Sequence, residues 1–131
     1  MTMGRRVVIT RAGGISAITT EPMELPGPKE GEVRIKVAYA GINFADLLMR
    51  MGFYRPRPPF PFTPGYEVSG VVDAVGKGVS GIKKGQKVVA AMRNGGQASF
   101  VVTPSNRVIP LPEGFSLKSA ASTPVTYMTA H

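Results

Sequence analysis

The 131 residues amount to one domain with a single core, and an apolar share of 43% is that of a globular chain rather than a disordered one. The 16 Gly and 12 Pro point to many short elements and turns instead of a helical bundle. With no cysteine and one histidine, at the last position, disulfides, thiolate metal sites and a His-based zinc site all lack their ligands. The net charge of +8 is scattered along the chain, with no basic helical stripe and no aromatic-basic interleaving, so a nucleic-acid partner is not expected.

In chain order, Arg5–Thr10 is short and β-branched, a first strand. It is also too short for the apolar region of a signal peptide, and no stretch approaches the roughly 20 apolar residues of a membrane span. A cytoplasmic, reducing compartment is the expectation. Gly13-Gly14 is a turn, Ile18–Leu25 a second extended segment, and Pro26-Gly27-Pro28 closes it. In Glu32–Tyr39, Val33, Ile35, Val37 and Tyr39 alternate with charged residues, the pattern of a half-buried strand. Asn43–Met51 predicts a helix with Asn43 as N-cap, Asp46 in the first turn and Gly52 as terminator. Its apolar face is read as Phe44, Leu47, Leu48 and Met51.

The proline-dense loop Arg55–Pro64 follows, unable to enter a sheet interior, with Phe60 and Phe62 as its anchors. Its P-x-x-P patterns suit either a stiff connection or an SH3-type ligand. Val68–Val75 is a strand buried on both faces. Gly76–Gly81 matches G-x-G-x-x-G, but no helix opens there before the strand Lys87–Met92, so it reads as a turn. Arg93–Gly96 predicts a hairpin joining Lys87–Met92 to Gln97–Thr103. Val108–Leu111 is a last short strand, Ser116–Ala121 a helix capped by Ser116, and Thr126–His131 the start of another.

Polar side chains gather from Gly41 to Glu67, beside the irregular loop, where sites tend to lie. Singly, each has a structural reading. Asn43 is a cap, Asp46 a first-turn charge, Tyr54 a loop aromatic, and Glu67 a buried acid whose nearest cation in sequence is Arg50.

Together the motifs GINFADLLMR-MGFY, TPGYEVSGVV-DAVGKGV, KKGQKVVA, GGQASFVV and ASTPVTYMTA resemble a family, from about Arg5 to His131. They are similar to the N-terminal catalytic domain of medium-chain dehydrogenases/reductases, in the zinc-independent branch. That branch contains quinone oxidoreductase (zeta-crystallin), VAT-1-like proteins and polyketide enoyl reductases. Zinc-dependent members carry a ligand cysteine near the position of Asn43 and a Gly-His-Glu where this chain has Gly65-Tyr66-Glu67. Their structural-zinc lobe is replaced here by the turn Arg93–Gly96. The resemblance therefore implies that no metal binds.

The implied fold is mainly β with short helices: a GroES-like, partly open barrel over residues 1–122. Residues 123–131 would start an interdomain helix leading past His131 to an absent Rossmann domain. The implied activity is hydride transfer from NADPH to a quinone or another conjugated carbonyl, with an enoyl reductase as alternative. By the same resemblance, Asn43 faces nicotinamide and substrate, Tyr54 lines the substrate cleft and Thr129 contacts the cofactor. Leu48 stands where zeta-crystallin members have a cofactor-contacting tyrosine. A homo-oligomer is expected of the full-length protein. The isolated chain, holding half a cofactor site, is expected to be inactive. A non-enzymatic alternative is a stand-alone GroES-like module binding a partner through the proline loop or the apolar face around Val125–Ala130.

Overall fold

A computed structural model describes residues 4–54 and 57–124. Two antiparallel sheets carry the fold. The smaller pairs β1 (Gly4–Ile9) with β2 (Ile18–Met23). The larger has five strands: β3 (Glu32–Ala40), β4 (Glu67–Val75), β5 (Lys87–Ala91), β6 (Phe100–Pro104) and β7 (Val108–Pro110). Their spatial order is β6-β3-β4-β5-β7. A short helix α1 (Phe44–Met51) links β3 to the proline loop, and α2 (Leu117–Ala120) follows β7. The expected mainly-β architecture with short helices is what the chain adopts. Among the described residues no helix is long and apolar enough to cross a membrane.

The centre of the large sheet is where burial is most complete. Val33, Ile35, Val68, Val72 and Val88 are fully enclosed and form one cluster with Ala90, Val101 and Val108. β4 has a neighbour on each side, and Val68, Ser69, Gly70 and Val72 in its run of small and branched side chains are buried. The Ser69 hydroxyl donates to the Leu117 carbonyl and ties α2 onto this strand. Ser116 Oγ accepts from Ser119 N–H at 3.0 Å, the cap expected for that helix. A second cluster of Ile9, Met49 and Phe62 seats α1 and the proline loop against β1.

Four expectations are corrected. The alternation of β3 fails at Tyr39, which is 46% exposed. Val37 pairs with Gly70 and Tyr39 with Ser69, so one extra residue bulges between them and inverts the faces. The hairpin at Arg93–Gly96 does not form: β5 and β6 lie on opposite sides of β3 and β4, and the strand begins at Phe100. The core face of α1 is Ala45, Asp46 and Met49, while Phe44 (72% exposed), Leu47 and Met51 point outward. Arg50 does not pair with Glu67; its Nε donates to Gly13 O at 3.2 Å. The proline loop stays out of the sheets, as expected, and meets β1 through one isolated bridge in which Phe62 and Ile9 exchange backbone bonds of 2.8 and 3.1 Å. Gly76–Gly81 is a turn, with no helix at its glycines.

Candidate active-site cleft

α1 begins where β3 ends, and its first residues are held by two carboxylates. Asp46 Oδ2 accepts the Asn43 backbone N–H at 2.9 Å, closing the first turn from inside the helix. Asn43 Nδ2 donates to Glu67 Oε1 at 3.2 Å. Glu67 opens β4 and is only 2% exposed. Its side chain lies over Gly41, where an added Cβ would come within 2.6 Å of Glu67 Cγ. Glycine at 41 thus makes room for the acid, and the acid orients the amide.

The other wall comes from the loop. Gly65 has φ +117°, and a Cβ there would press on the Gly96–Gln97 backbone. The 93–97 turn docks along this segment through Gly95 N–H to Thr63 O (2.8 Å), Gly96 N–H to Gly65 O (3.2 Å) and Gln97 N–H to Pro64 O (2.9 Å). That docking is the role the turn has in place of a hairpin. It brings Arg93 and Asn94 to a cleft of about 580 Å³ shared with Tyr54, Arg57, Pro58 and Tyr66. Tyr66 O–H donates weakly to Met49 Sδ at 3.9 Å. Burial first, then the neighbouring Tyr54 and Asp46, push the Tyr66 phenol up to about 12, so it remains protonated at neutral pH.

Of the expected site residues, Tyr54 lines this cleft, and Asn43 stands at the head of α1 on Glu67. Thr129 and the apolar segment Val125–Ala130 lie outside the described residues. Sequence reading missed Arg57, Arg93 and Asn94. The one available signal was the Gly95-Gly96 pair, which admits close backbone approach as readily as a hairpin.

Asp46 is 7% exposed and lines a separate hollow of about 220 Å³ with Ile42, Leu47 and Arg50. Burial raises its carboxyl above the usual range, against the Asn43 and Gly65 N–H groups that lower it; Glu67 adds a further rise. A carboxyl that binds its proton more tightly when folded loses stability as pH climbs through the raised pKa. Asp46→Asn keeps an acceptor for the Asn43 N–H and cannot ionise. The variant is therefore expected to gain stability relative to the parent as pH rises above about 4. Urea denaturation across pH 3–8 measures this, and parallel profiles would contradict it.

The alcohol dehydrogenase GroES-like domain family matches residues 29–113. The chain belongs to that family. The expected branch is represented among its relatives. The synaptic vesicle membrane protein VAT-1 homolog of Danio rerio is 41% identical over 128 residues, covering 97% of this chain and 26% of that protein. The crystal structure of human VAT-1 homolog-like protein superposes with a TM-score of 0.94 at 35% identity, covering 98% of this chain and 42% of that one. Escherichia coli quinone oxidoreductase complexed with NADPH superposes at 0.86 and 30% identity, covering 95% and 38%. This GroES-like chain thus spans between a quarter and a half of the length of these relatives.

Proposed function

We propose that this domain supplies one wall of the cleft in which an NADPH-dependent oxidoreductase transfers hydride to a quinone or other conjugated carbonyl, without zinc. The observation that carries the reading is the Asn43 amide, which donates to the buried Glu67 carboxylate; Glu67 directly follows Tyr66, which lines the cleft with Tyr54. Its support from similarity is the E. coli quinone oxidoreductase complexed with NADPH.

The donor set suits a nicotinamide. Asn43 offers a fixed carboxamide, complementary to the carboxamide of the ring, and its exposed neighbours Ile42 and Phe44 offer apolar surface for a flat heterocycle. NADPH, when bound, supplies the hydride. Asn43 would orient ring and substrate, and its remaining amide hydrogen would meet the oxygen on which charge develops. Tyr54 would line the substrate side, and Thr129 would contact the cofactor. The zinc-free reading rests on composition: no cysteine is present, and position 66 holds a tyrosine.

The test is NADPH oxidation by the full-length natural protein, with a quinone and an enoyl thioester as competing acceptors. Turnover is expected to survive prolonged chelation unchanged. Loss of activity on chelation, with recovery on adding zinc, would overturn the zinc-free reading; no NADPH oxidation with either acceptor would overturn the activity. Leu48, apolar where a cofactor-contacting tyrosine stands in zeta-crystallin members, favours the enoyl reductase as the second reading. A rate with the thioester far above that with the quinone would select it.

A further inference from the structure

The cleft beside Tyr54 carries charge of one sign. Among the described residues its lining holds two guanidinium groups, Arg57 and Arg93, and no carboxylate. The ion pairs among the described residues are Arg6–Glu21 and Arg34–Asp73, so neither of these arginines is neutralised by one. The two acids of this segment are engaged elsewhere: Asp46 caps α1 and lines the other hollow, and Glu67 is buried against Asn43. Arg57 is set in place by its bond to Pro58 O at 3.1 Å and by the Phe60 ring, whose centroid lies 4.2 Å from the guanidinium carbon. Its Nε is buried with no hydrogen-bond partner among the described residues. Arg93 is exposed on the turn that the Gly95–Gln97 bonds hold against the loop. The Asn94 amide adds a neutral donor to the same walls.

We propose that this cleft selects conjugated carbonyl substrates that also carry an anionic group, a carboxylate or an equivalent oxyanion, engaged by Arg57 and Arg93. Guanidinium forks match the paired oxygens of such groups, and a fixed one gives up less freedom on binding than a free surface lysine would. The inference rests on the substrate reading of the cleft and narrows it from conjugated carbonyls in general to acidic ones.

The experiment compares 4-carboxybenzalacetone with its methyl ester, two enones of nearly equal size that differ by one charge. Binding to the full-length natural protein is measured by calorimetry, and reduction is followed separately with NADPH. The acid is expected to bind about fivefold tighter than the ester, an advantage that shrinks as salt is raised from 0.05 to 0.5 M (about 14 to 4 Å of screening length). Arg93→Gln and Arg57→Gln are each expected to cut the acid-to-ester ratio at least by half. Arg93 is exposed, so that variant reads the charge without disturbing packing. Equal binding of acid and ester, tighter binding of the ester, no binding of either, or a ratio unmoved by both substitutions overturns the proposal. If the acid binds preferentially but neither enone is reduced, the anion selectivity stands and the hydride-transfer reading falls. If both are reduced with equal affinity, the reverse holds.

Discussion

Gly70→Ala is expected to destabilise the domain by about 3 kcal/mol, lowering its urea midpoint by about 1 M or more. Gly70 sits in β4, the central strand, paired with Val37 on one side and Val88 on the other. A Cβ at this position would drive into the Lys36 carbonyl oxygen and lie 2.8 Å from Ile35 Cγ2. Neither neighbour can yield cheaply. Lys36 is bonded in the ladder between β4 and β6, and Ile35 is fully buried in the core. The bulge in β3 follows at once, between Val37 and Tyr39, so the close approach of the two backbones and the break in alternation share one place. Gly27→Ala is the matched control. Nothing lies within 4 Å of its added methyl, and the change is expected to stay within about 0.5 kcal/mol. Equal midpoints for the two variants would show that β3 and β4 are not packed as closely as described.

Asn43→Ala is expected to slow hydride transfer in the full-length protein by about a hundredfold, the usual loss when one preorganised donor is removed. The change deletes a side chain at the head of α1 that is both held by a buried acid and partly open to solvent. Two substitutions at Glu67 separate orientation from mere presence. Glu67→Gln retains an oxygen that accepts from Asn43 Nδ2 and should keep most of the rate. Glu67→Leu removes the acceptor and should approach the Asn43→Ala rate, provided circular dichroism shows it folded. Single-turnover NADPH oxidation measures all three. An Asn43→Ala rate equal to the parent's would remove Asn43 from the chemistry, and equal rates for the two Glu67 variants would remove its orienting role.

Much of the scaffold was legible from local pattern. Val33 and Ile35 alternate with charged residues and are both fully buried; Gly52 ends α1 in the left-handed conformation at φ +82°; Ser116 caps α2. These features depend on neighbours within a turn or two, and there the sequence carries its own instructions. The misreadings share a cause. Arg93–Gly96 has the composition of a hairpin, but β6 finds its partner in β3, more than 60 residues earlier in sequence. The spacing of Phe44, Leu47, Leu48 and Met51 marks an apolar stripe without saying whether a core lies beneath it, and the cap contact of Asp46 turned the helix the other way.

The stretch from Gly41 to Glu67 shows the division most clearly. Sequence alone determined that a capped helix, a stiff loop and the head of a buried strand follow one another there, and that cysteine and histidine are missing where zinc-binding relatives place them. It could also supply the family, since an ordered set of short motifs survives without any knowledge of contacts. Only the tertiary structure decided that Glu67 holds Asn43 rather than Arg50, and that the 93–97 turn docks beside Tyr54 and Tyr66. Those pairings join residues 24 to about 40 positions apart, and they depend on a bulge, on glycines at 65 and 70 that permit close backbone approach, and on Gly41, which leaves room for the Glu67 side chain. Periodicity records which face a side chain prefers; which partner occupies that face is settled by how strands order themselves across the sheet.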